Sequence, residues 1–249
     1  MNLEPDPGAS LAVLIDADNA SAAMIDGLIG EVAKLGVASV KRIYGDWTQP
    51  NLAPWKSVLL DHSIQPIQQF SYTTGKNATD SAMIIDAMDL LYTGNFSGFC
   101  IVSSDSDFTR LAARIRESGK RVYGFGERKT PRPFVSACDR FIYTEVFARE
   151  QNEATGSAVV SRSEKVLRSD TRLLSLIRAG IAAASDDNGW ANLSAVGSYI
   201  GKTANDFDSR TYGFAKLSGL VEAVGLFDMD RKPNGIFIRD SRKKLVPEA

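Results

Sequence analysis

The sequence predicts an α/β fold with a mostly parallel sheet over residues 10–147, followed by a small domain of helices and a β-hairpin over residues 168–240. Three observations lead to this prediction. Short apolar runs alternate with helical stretches as far as Tyr143, the periodicity is lost over residues 149–168, and apolar helical stripes then precede a turn. Strands that alternate with helices in this way form right-handed βαβ units, with helices on both faces of the sheet. The predicted first domain is therefore a three-layer α/β/α sandwich.

Six strands and five helices are predicted in the first domain from the apolar pattern. The strands are 11–15, 39–44, 64–70, 99–102, 121–125 and 141–143. The helices lie near 20–34, 53–62, 80–92, 107–118 and 133–138. Gly119 follows the fourth helix, at the position where a residue of left-handed conformation commonly ends a helix. In a parallel arrangement, the segments that follow the strands lie along one edge of the sheet.

The second domain is predicted from three helical stripes and a turn. The stripes are Leu173-Leu174-Ile177-Ile181, Leu193-Val196-Ile200 and Phe214-Leu217-Leu220-Val221-Val224. A hairpin with Pro233-Asn234-Gly235 at its turn is predicted to follow, and three helices with a hairpin are the arrangement of a winged helix. Residues 1–10 are predicted to be a disordered N-terminus, 148–167 a linker that becomes helical near Val166-Leu167, and 241–249 a basic tail.

Composition limits the class of protein. With 249 residues, 44% of them apolar, the chain can bury sizeable hydrophobic cores. The formal net charge is −1, so overall charge does not steer the chain toward nucleic acid. Residues 1–151 have 18 acidic against 15 basic residues and residues 152–249 have 12 against 14, a split that is compatible with nucleic-acid binding. The single histidine, His62, excludes two-histidine acid–base ribonuclease chemistry and histidine-rich zinc sites.

Localisation is predicted from the first residues and from hydropathy. The start of the chain is acidic and lacks the positive segment of a signal peptide, and no apolar run approaches the length of a membrane span. Cys100 and Cys138 have no CxxC spacing, and Cys100 lies inside an apolar strand. A soluble cytoplasmic protein without a membrane partner is therefore predicted.

Paired carboxylates follow two of the predicted strands. Asp16-Ala17-Asp18-Asn19 comes directly after the first strand, and Ser103-Ser104-Asp105-Ser106-Asp107 comes directly after the fourth. Ligands bind at this edge of open α/β sheets. Carboxylates held together there repel one another by roughly 1 kcal/mol per pair at 4 Å in water and about 4 kcal/mol near a protein surface. A bound divalent cation turns this repulsion into attraction, so the sequence predicts an Mg²⁺ or Mn²⁺ site.

A third acidic position, Asp80, is predicted on the core-facing side of the helix at 80–92. It lies four residues before Ile84 in the apolar stripe, whereas Asp86 and Asp89 project to the opposite, solvated face. Burying an unpaired carboxylate is costly, so a shared cation is a natural partner for Asp80. The alternative interpretation is that such residues only cap helices, which contributes roughly 0.5–2 kcal/mol each. Three acidic points at one sheet edge favour the metal site.

Three blocks in the first domain resemble the signature blocks of NYN domains, which belong to the PIN-like nuclease superfamily, with the match to the LabA-like branch. The blocks are LAVLIDADN at 11–19, GKNATDSAMIID at 75–86 and IVSSDSDF at 101–108. The resemblance implies an α/β/α sandwich with metal-dependent ribonuclease activity. Metal ions held by aspartates polarise a phosphoryl oxygen and supply hydroxide near neutral pH, without any histidine.

The resemblance also implies residue roles. Asp16, Asp80, Asp105 and Asp107 would be the catalytic, metal-binding carboxylates. The predicted substrate-binding residues of this domain are Asn19, Lys76, Ser103 and Ser104. Asp18 would orient Asn19 or cap the following helix.

The second domain resembles OST-HTH (LOTUS) domains over residues 168–240. The run Asp206–Leu217, followed by Leu220-Val221, is similar to the core helix of these winged helices. The resemblance implies RNA binding or docking to an RNA-handling protein. Basic residues that could contact phosphates are Lys202, Arg210, Lys216, Arg231 and Lys232. Tyr212, Phe214 and Phe227 have core spacing and are predicted to pack inside the domain rather than stack on bases.

The predicted function is an Mg²⁺- or Mn²⁺-dependent ribonuclease whose winged helix recruits RNA or a partner. One alternative is a phosphatase that forms an aspartyl-phosphate, since Asp16-Ala17-Asp18 also resembles the nucleophile motif of haloacid-dehalogenase-like enzymes. That family requires Thr or Val soon after the second Asp, whereas Asn19-Ala20-Ser21 follows here. The other alternative is a non-catalytic RNA-binding adaptor on the same scaffold.

Overall fold

The computed structural model describes residues 8–70, 78–148 and 162–242 of the 249-residue chain. Predictions for residues 1–7, for Lys76, for most of the linker and for the end of the basic tail lie outside the described residues. The chain divides into two compact units, Met1–Thr155 and Gly156–Ala249.

The first unit is built on a six-stranded sheet in which neighbouring strands are parallel. The strands are β1 Ser10–Asp16, β2 Val37–Gly45, β3 Gln65–Gln68, β4 Gly98–Val102, β5 Arg121–Gly126 and β6 Arg140–Tyr143. Their order across the sheet is β3-β2-β1-β4-β5-β6. The chain builds outward in one direction from β1 to β3 and in the other direction from β4 to β6. The strand order therefore reverses between β1 and β4, which is where open α/β sheets bind ligands.

Helices cover both faces of the sheet because its central strands are apolar on both sides. Alternate side chains of β1 enter different cores, with Leu11, Val13 and Ile15 in one and Ala12 and Leu14 in the other. The helices over the first core are α1 Ile25–Leu35 and α2 Ala53–Lys56, and those over the second are α3 Ala78–Thr93, α4 Thr109–Glu117 and α5 Arg132–Ala137. Residues 145–148 are also helical. The predicted α/β/α architecture and its six strands are confirmed.

Three of the predicted helices differ from the observed ones. The helix predicted at 107–118 begins as a 3₁₀ turn, Ser106–Phe108, before α4. The helix predicted at 20–34 begins as a 3₁₀ turn, Ala22–Met24, before α1. The helix predicted at 53–62 ends at Lys56, and the chain continues in turns to Ser63, whose φ of 52° redirects it toward β3. Gly119 follows α4 in the left-handed region with a φ of 77°, as predicted.

The second unit consists of helices and a small antiparallel sheet. The helices are α6 Glu164–Ser169, α7 Thr171–Ala184, α8 Leu193–Thr203 and α9 Leu217–Val224, and the strands are β7 Ala191–Asn192, β8 Phe227–Lys232 and β9 Gly235–Asp240. β9 lies between β7 and β8, and the β8–β9 hairpin turns at Pro233 and Asn234, as predicted. In the part of the chain that the structure describes, no helix has both the length and the hydropathy needed to cross a bilayer.

The core helix predicted at Asp206–Leu217 is wrong, and Phe214 lies outside the third helix. The segment contains only a 3₁₀ turn, Ser209–Tyr212, whose start is capped by the Asp208 carboxylate. Gly213 then takes a φ of 91°, a left-handed conformation that ends the turn at little cost for glycine. The chain is consequently redirected before α9 begins at Leu217.

Leu167 of α6 is fully buried in the core of the second unit, within the segment predicted to be a linker. Leu167→Ala is expected to lower the free energy of unfolding of this unit by about 2–5 kcal/mol, because it leaves a cavity. Val166→Ala is the matched control, since Val166 is 48% exposed. Urea unfolding of the full chain, followed by hydrogen exchange within α7 and α8, measures the difference. Equal effects of the two substitutions would contradict the assignment of α6 to this core.

Candidate metal centre

The carboxyl ends of β1 and β4 lie side by side, because Ile15 is paired with Val102 in the parallel register. The next residues along the chain are Asp16 and Ser103. The two polar segments that follow apolar strands therefore emerge together at the reversal of strand order. Asp80 joins them from the first turn of α3, so segments far apart in the sequence meet at one edge of the sheet.

Asp16 is almost completely buried and its carboxylate is fully engaged. One oxygen accepts a hydrogen bond from the Asp18 backbone N–H (3.1 Å), and the other accepts from the Asn19 amide (2.8 Å) and from the Ser103 hydroxyl (2.7 Å). Burial raises the pKa of the Asp16 carboxyl, while these hydrogen bonds act in the opposite direction. Asp16 thus contributes negative charge to the site while its oxygens hold the surrounding loops.

Three carboxylates converge beside Asp16. One oxygen from each of Asp80, Asp105 and Asp107 lies within 4.8 Å of the other two. Asp105 caps the 3₁₀ turn Ser106–Phe108 by accepting the Asp107 backbone N–H at 2.9 Å, which fixes its orientation. Burial, reinforced by the charges of the neighbouring aspartates, raises the pKa of Asp80 from 3.8 to about 6. The repulsion expected from the sequence is therefore present in the fold.

This cluster fits a hard divalent cation. Oxygens bound to one ion lie at most twice the metal–oxygen distance apart, which is about 4.2 Å for Mg²⁺ and about 4.8 Å for longer bonds near 2.4 Å. The three oxygens, all within 4.8 Å of one another, meet the longer of these limits. Of the four predicted ligands, the structure brings Asp80, Asp105 and Asp107 together, whereas Asp16 is not a member of the group.

Ser103 and Ser104 hold the loop that carries Asp105. The Ser103 hydroxyl is fully buried, donates to Asp16 and accepts the Asp105 backbone N–H at 3.1 Å. The Ser104 hydroxyl is also buried and accepts the backbone N–H of Glu127 at 2.9 Å. Both hydroxyls therefore position the loop, and the substrate contact predicted for these serines stays a prediction.

Comparison with protein families decides the class of this fold. The model of the NYN domain matches residues 10–145, and the model of the OST-HTH/LOTUS domain matches residues 164–238. The chain belongs to the NYN domain family. Its first unit has the PIN-like nuclease fold, and an OST-HTH/LOTUS domain follows, which confirms the resemblance found in the sequence.

Solved structures similar to this chain include two from bacteria. A protein of unknown function, VPA0982, from Vibrio parahaemolyticus RIMD 2210633 is 17% identical with a TM-score of 0.46, over 56% of this chain and 94% of that chain. An uncharacterized protein from gene locus NE0665 of Nitrosomonas europaea is 35% identical with a TM-score of 0.25, over 30% of this chain and 78% of that chain. No curated protein matches the chain.

Asn19 lies at the centre of the NYN domain's polar edge. Its amide nitrogen donates to Asp16, so the side chain is fixed next to the carboxylates while remaining half-buried. Asp18 is exposed and contributes its backbone N–H to Asp16. Lys76, the other predicted substrate-binding residue of this domain, lies outside the described residues.

The prediction that Asp86 projects into solvent is wrong. Its carboxylate accepts hydrogen bonds from the Arg42 guanidinium and from the Tyr44 hydroxyl, and its side chain is only 23% exposed. Burial and the Asp86 charge raise the pKa of Tyr44, which keeps its hydroxyl protonated as a donor. These contacts attach α3 to β2 and so fix the helix that carries Asp80. The i, i+2 spacing of Arg42 and Tyr44 in a strand is the sequence signal for this partner. Asp89 is exposed, as predicted.

The loop between β5 and α5 is a basic segment that the sequence analysis did not assign. Arg128 and Lys129 are both exposed, and Lys129 lies 3.0 Å from the Glu127 carboxylate. The Glu127 backbone N–H is the donor to Ser104, so this loop lies directly against the segment that carries Asp105. The sequence signal for this loop is a pair of consecutive basic residues that follows a strand, because that strand ends at the same edge of the sheet as β1 and β4.

The basic residues of the OST-HTH domain that are predicted to contact phosphates differ in their exposure and in their ion pairs. The Arg210 guanidinium forms a two-pronged ion pair with Asp208 (2.6 and 3.1 Å) and its side chain is only 16% exposed, so a phosphate contact there stays a prediction. Lys202 and Lys216 are exposed. Arg231 and Lys232 are more than half exposed and form ion pairs with Glu222 (2.8 Å) and Asp230 (3.2 Å). Tyr212 and Phe227 are buried, and the partly buried Phe214 packs against the same hydrophobic core, as predicted.

Proposed function

We propose that the chain is a ribonuclease that hydrolyses phosphodiester bonds of single-stranded RNA with Mg²⁺ or Mn²⁺. NYN domains are typically nucleases. The observation that carries the proposal is the convergence of Asp80, Asp105 and Asp107 where the strand order reverses. No histidine is needed in such a site.

Asp80, Asp105 and Asp107 would hold the cation. When bound, the cation supplies charge neutralisation at the phosphodiester and lowers the pKa of water beside it. Asp80 holds a proton on its carboxyl below about pH 6 and must release it for ligation. Asp16 and Ser103 keep the loops in register through their hydrogen bond, and Asn19 presents its amide toward the phosphate.

The aspartyl-phosphate alternative conflicts with the surroundings of Asp16. A nucleophilic carboxylate needs an oxygen that substrate can reach, whereas Asp16 is 1% exposed and both of its oxygens accept hydrogen bonds. Membership of the NYN family points the same way.

The OST-HTH domain is proposed to bind RNA or an RNA-handling protein. The helix that precedes the hairpin, α9, contains Glu222 and no basic residue, unlike a helix that reads a DNA groove through phosphate contacts. Exposed cations flank it instead, at Lys216 before α9 and at Arg231 and Lys232 in β8. Phosphate contacts made by such residues weaken as the salt concentration rises.

The nuclease proposal is tested by incubating the purified full chain with end-labelled single-stranded RNA. Cleavage is expected with Mn²⁺ or Mg²⁺, and excess EDTA is expected to stop it, because the three carboxylates alone repel the phosphate. Gel analysis of products over time measures both. RNA that is bound but not cut with either metal would contradict the nuclease and support the non-catalytic adaptor.

A further inference from the structure

A cavity lies next to the candidate metal centre, on the side of the sheet covered by α1. Its volume is about 230 Å³. It is formed where β1, β4, β5 and β6 end, and its lining includes Asn19, Val102, Glu127, Thr144 and Glu145. Pockets for drug-sized ligands have about 300–1,000 Å³, so this one accommodates a smaller group such as a single ring system.

The cavity and the aspartate cluster share their walls. Asn19 lines the cavity and donates to Asp16. Val102 lines it and directly precedes Ser103, and Glu127 lines it and donates its backbone N–H to Ser104. A group bound in the cavity would therefore lie beside a phosphate held at the carboxylates, as a nucleobase lies beside its own phosphate.

The lining specifies the chemistry of the group. The floor is apolar, with Met24 and Phe125, and suits the faces of a planar ring. Glu127 and Glu145 also line the cavity, and their negative charges disfavour a phosphate or another anion inside it. A neutral base that donates hydrogen bonds satisfies both conditions.

Glu145 supplies the acceptor. Its Oε1 accepts the Arg128 backbone N–H at 2.8 Å. Its Oε2 is buried and, among the residues that the structure describes, has no hydrogen-bond partner. A buried acceptor without a donor is unfavourable, so a ligand N–H that reaches it gains free energy. Oε2 reaches the cavity only if the carboxylate turns. This rotation about the terminal bond of a glutamate is soft, but it draws Oε1 away from the Arg128 N–H, so the hydrogen bond to the ligand must offset that loss.

We propose that this cavity binds the nucleobase adjacent to the phosphodiester that is cut, and that it selects bases with N–H donors, guanine foremost. This inference rests on the proposed ribonuclease function, because only a nuclease would cut the phosphodiester next to the bound base. Guanine presents two adjacent donors, its ring N–H and its amino group, to one carboxylate. Uracil presents a single donor between two carbonyl oxygens, which the carboxylate repels.

The test is binding of guanosine, adenosine, cytidine and uridine to the full chain in EDTA, measured by calorimetry, because nucleosides carry no phosphate for the metal-free carboxylates to repel. Guanosine is expected to bind about tenfold more tightly than uridine, the effect of one hydrogen bond to a charged group. Glu145→Gln is expected to remove most of this preference, because the amide adds a donor and is a weaker acceptor. Glu117→Gln, which removes a charge from the exposed end of α4, is the matched control and should bind like the wild type.

A second variant fills the cavity without touching Glu145. Ala23 is exposed and lines the cavity, so Ala23→Trp is expected to block all four nucleosides while the melting temperature stays near that of the wild type. Equal affinities for guanosine and uridine, no binding of either, or unchanged binding in both variants would overturn the inference. Because no metal is present, a chain that binds guanosine but never cleaves RNA would contradict the nuclease alone. A chain that cleaves RNA without base preference would contradict the cavity alone.

Discussion

Asp105→Asn is expected to lower metal-dependent RNA cleavage at least about a hundredfold. A ligating carboxylate supports several kcal/mol of charge stabilisation, and each 1.36 kcal/mol corresponds to a factor of ten in rate. The asparagine oxygen can still accept the Asp107 N–H, so the 3₁₀ turn and the fold are expected to remain. Initial rates of cleavage with saturating Mn²⁺ measure the loss.

Asp89→Asn is the control for this substitution. It removes the same charge from an exposed position of the same domain and should cleave RNA at the wild-type rate. An Asp105→Asn protein that cleaves as fast as the control would show that the carboxylate cluster is not the reaction centre. RNA binding by the variant separates lost chemistry from lost recruitment.

Asp80→Asn is expected to stabilise the metal-free protein near pH 7 by up to about 3 kcal/mol. The folded-state pKa of Asp80 is raised to about 6 from 3.8, so the folded chain holds its proton more tightly than the unfolded chain. Stability therefore falls as the pH rises from about 4 to 6, at up to about 1.4 kcal/mol per pH unit. Melting temperatures of wild type and variant, measured in EDTA across pH 4–8, should diverge as the pH rises.

Mn²⁺ should reverse this order. It is expected to raise the melting temperature of the wild type more than that of the Asp80→Asn protein, because binding to the folded state alone stabilises it. Burial also raises the pKa of Asp16, so part of the pH dependence should persist in the variant. Parallel pH profiles for the two proteins would contradict the repulsion assigned to Asp80.

The sheet is predictable from the sequence because buried parallel strands are continuous apolar runs. Helix ends are less predictable, since they depend on the backbone conformation and the capping contact of single residues. Nothing in the apolar stripe around Phe214 shows that Asp208 caps a short turn or that Gly213 ends it in the left-handed region. Periodicity describes which side chains can share a face, but not where the backbone leaves the helix.

The site was predictable as a set of strand ends and only partly as a set of contacts. Parallel order places Asp16 and Asp105 at one edge, and an apolar stripe places Asp80 toward it. Whether a carboxylate oxygen already accepts a hydrogen bond depends on residues that are distant in the sequence and close in the fold. Ser103 takes an oxygen of Asp16, and Arg42 takes one of Asp86, although each partner is more than 40 residues away.

The reversal of strand order has a consequence during synthesis. Asp80 lies within the crossover that returns the chain from β3, at one border of the sheet, to β4 at its middle, and Asp105 follows β4. A ribosome-bound chain that has released only β1 to β3 holds one acidic corner and an open sheet border. The three carboxylates proposed to hold the cation would therefore come together only after this long-range closure.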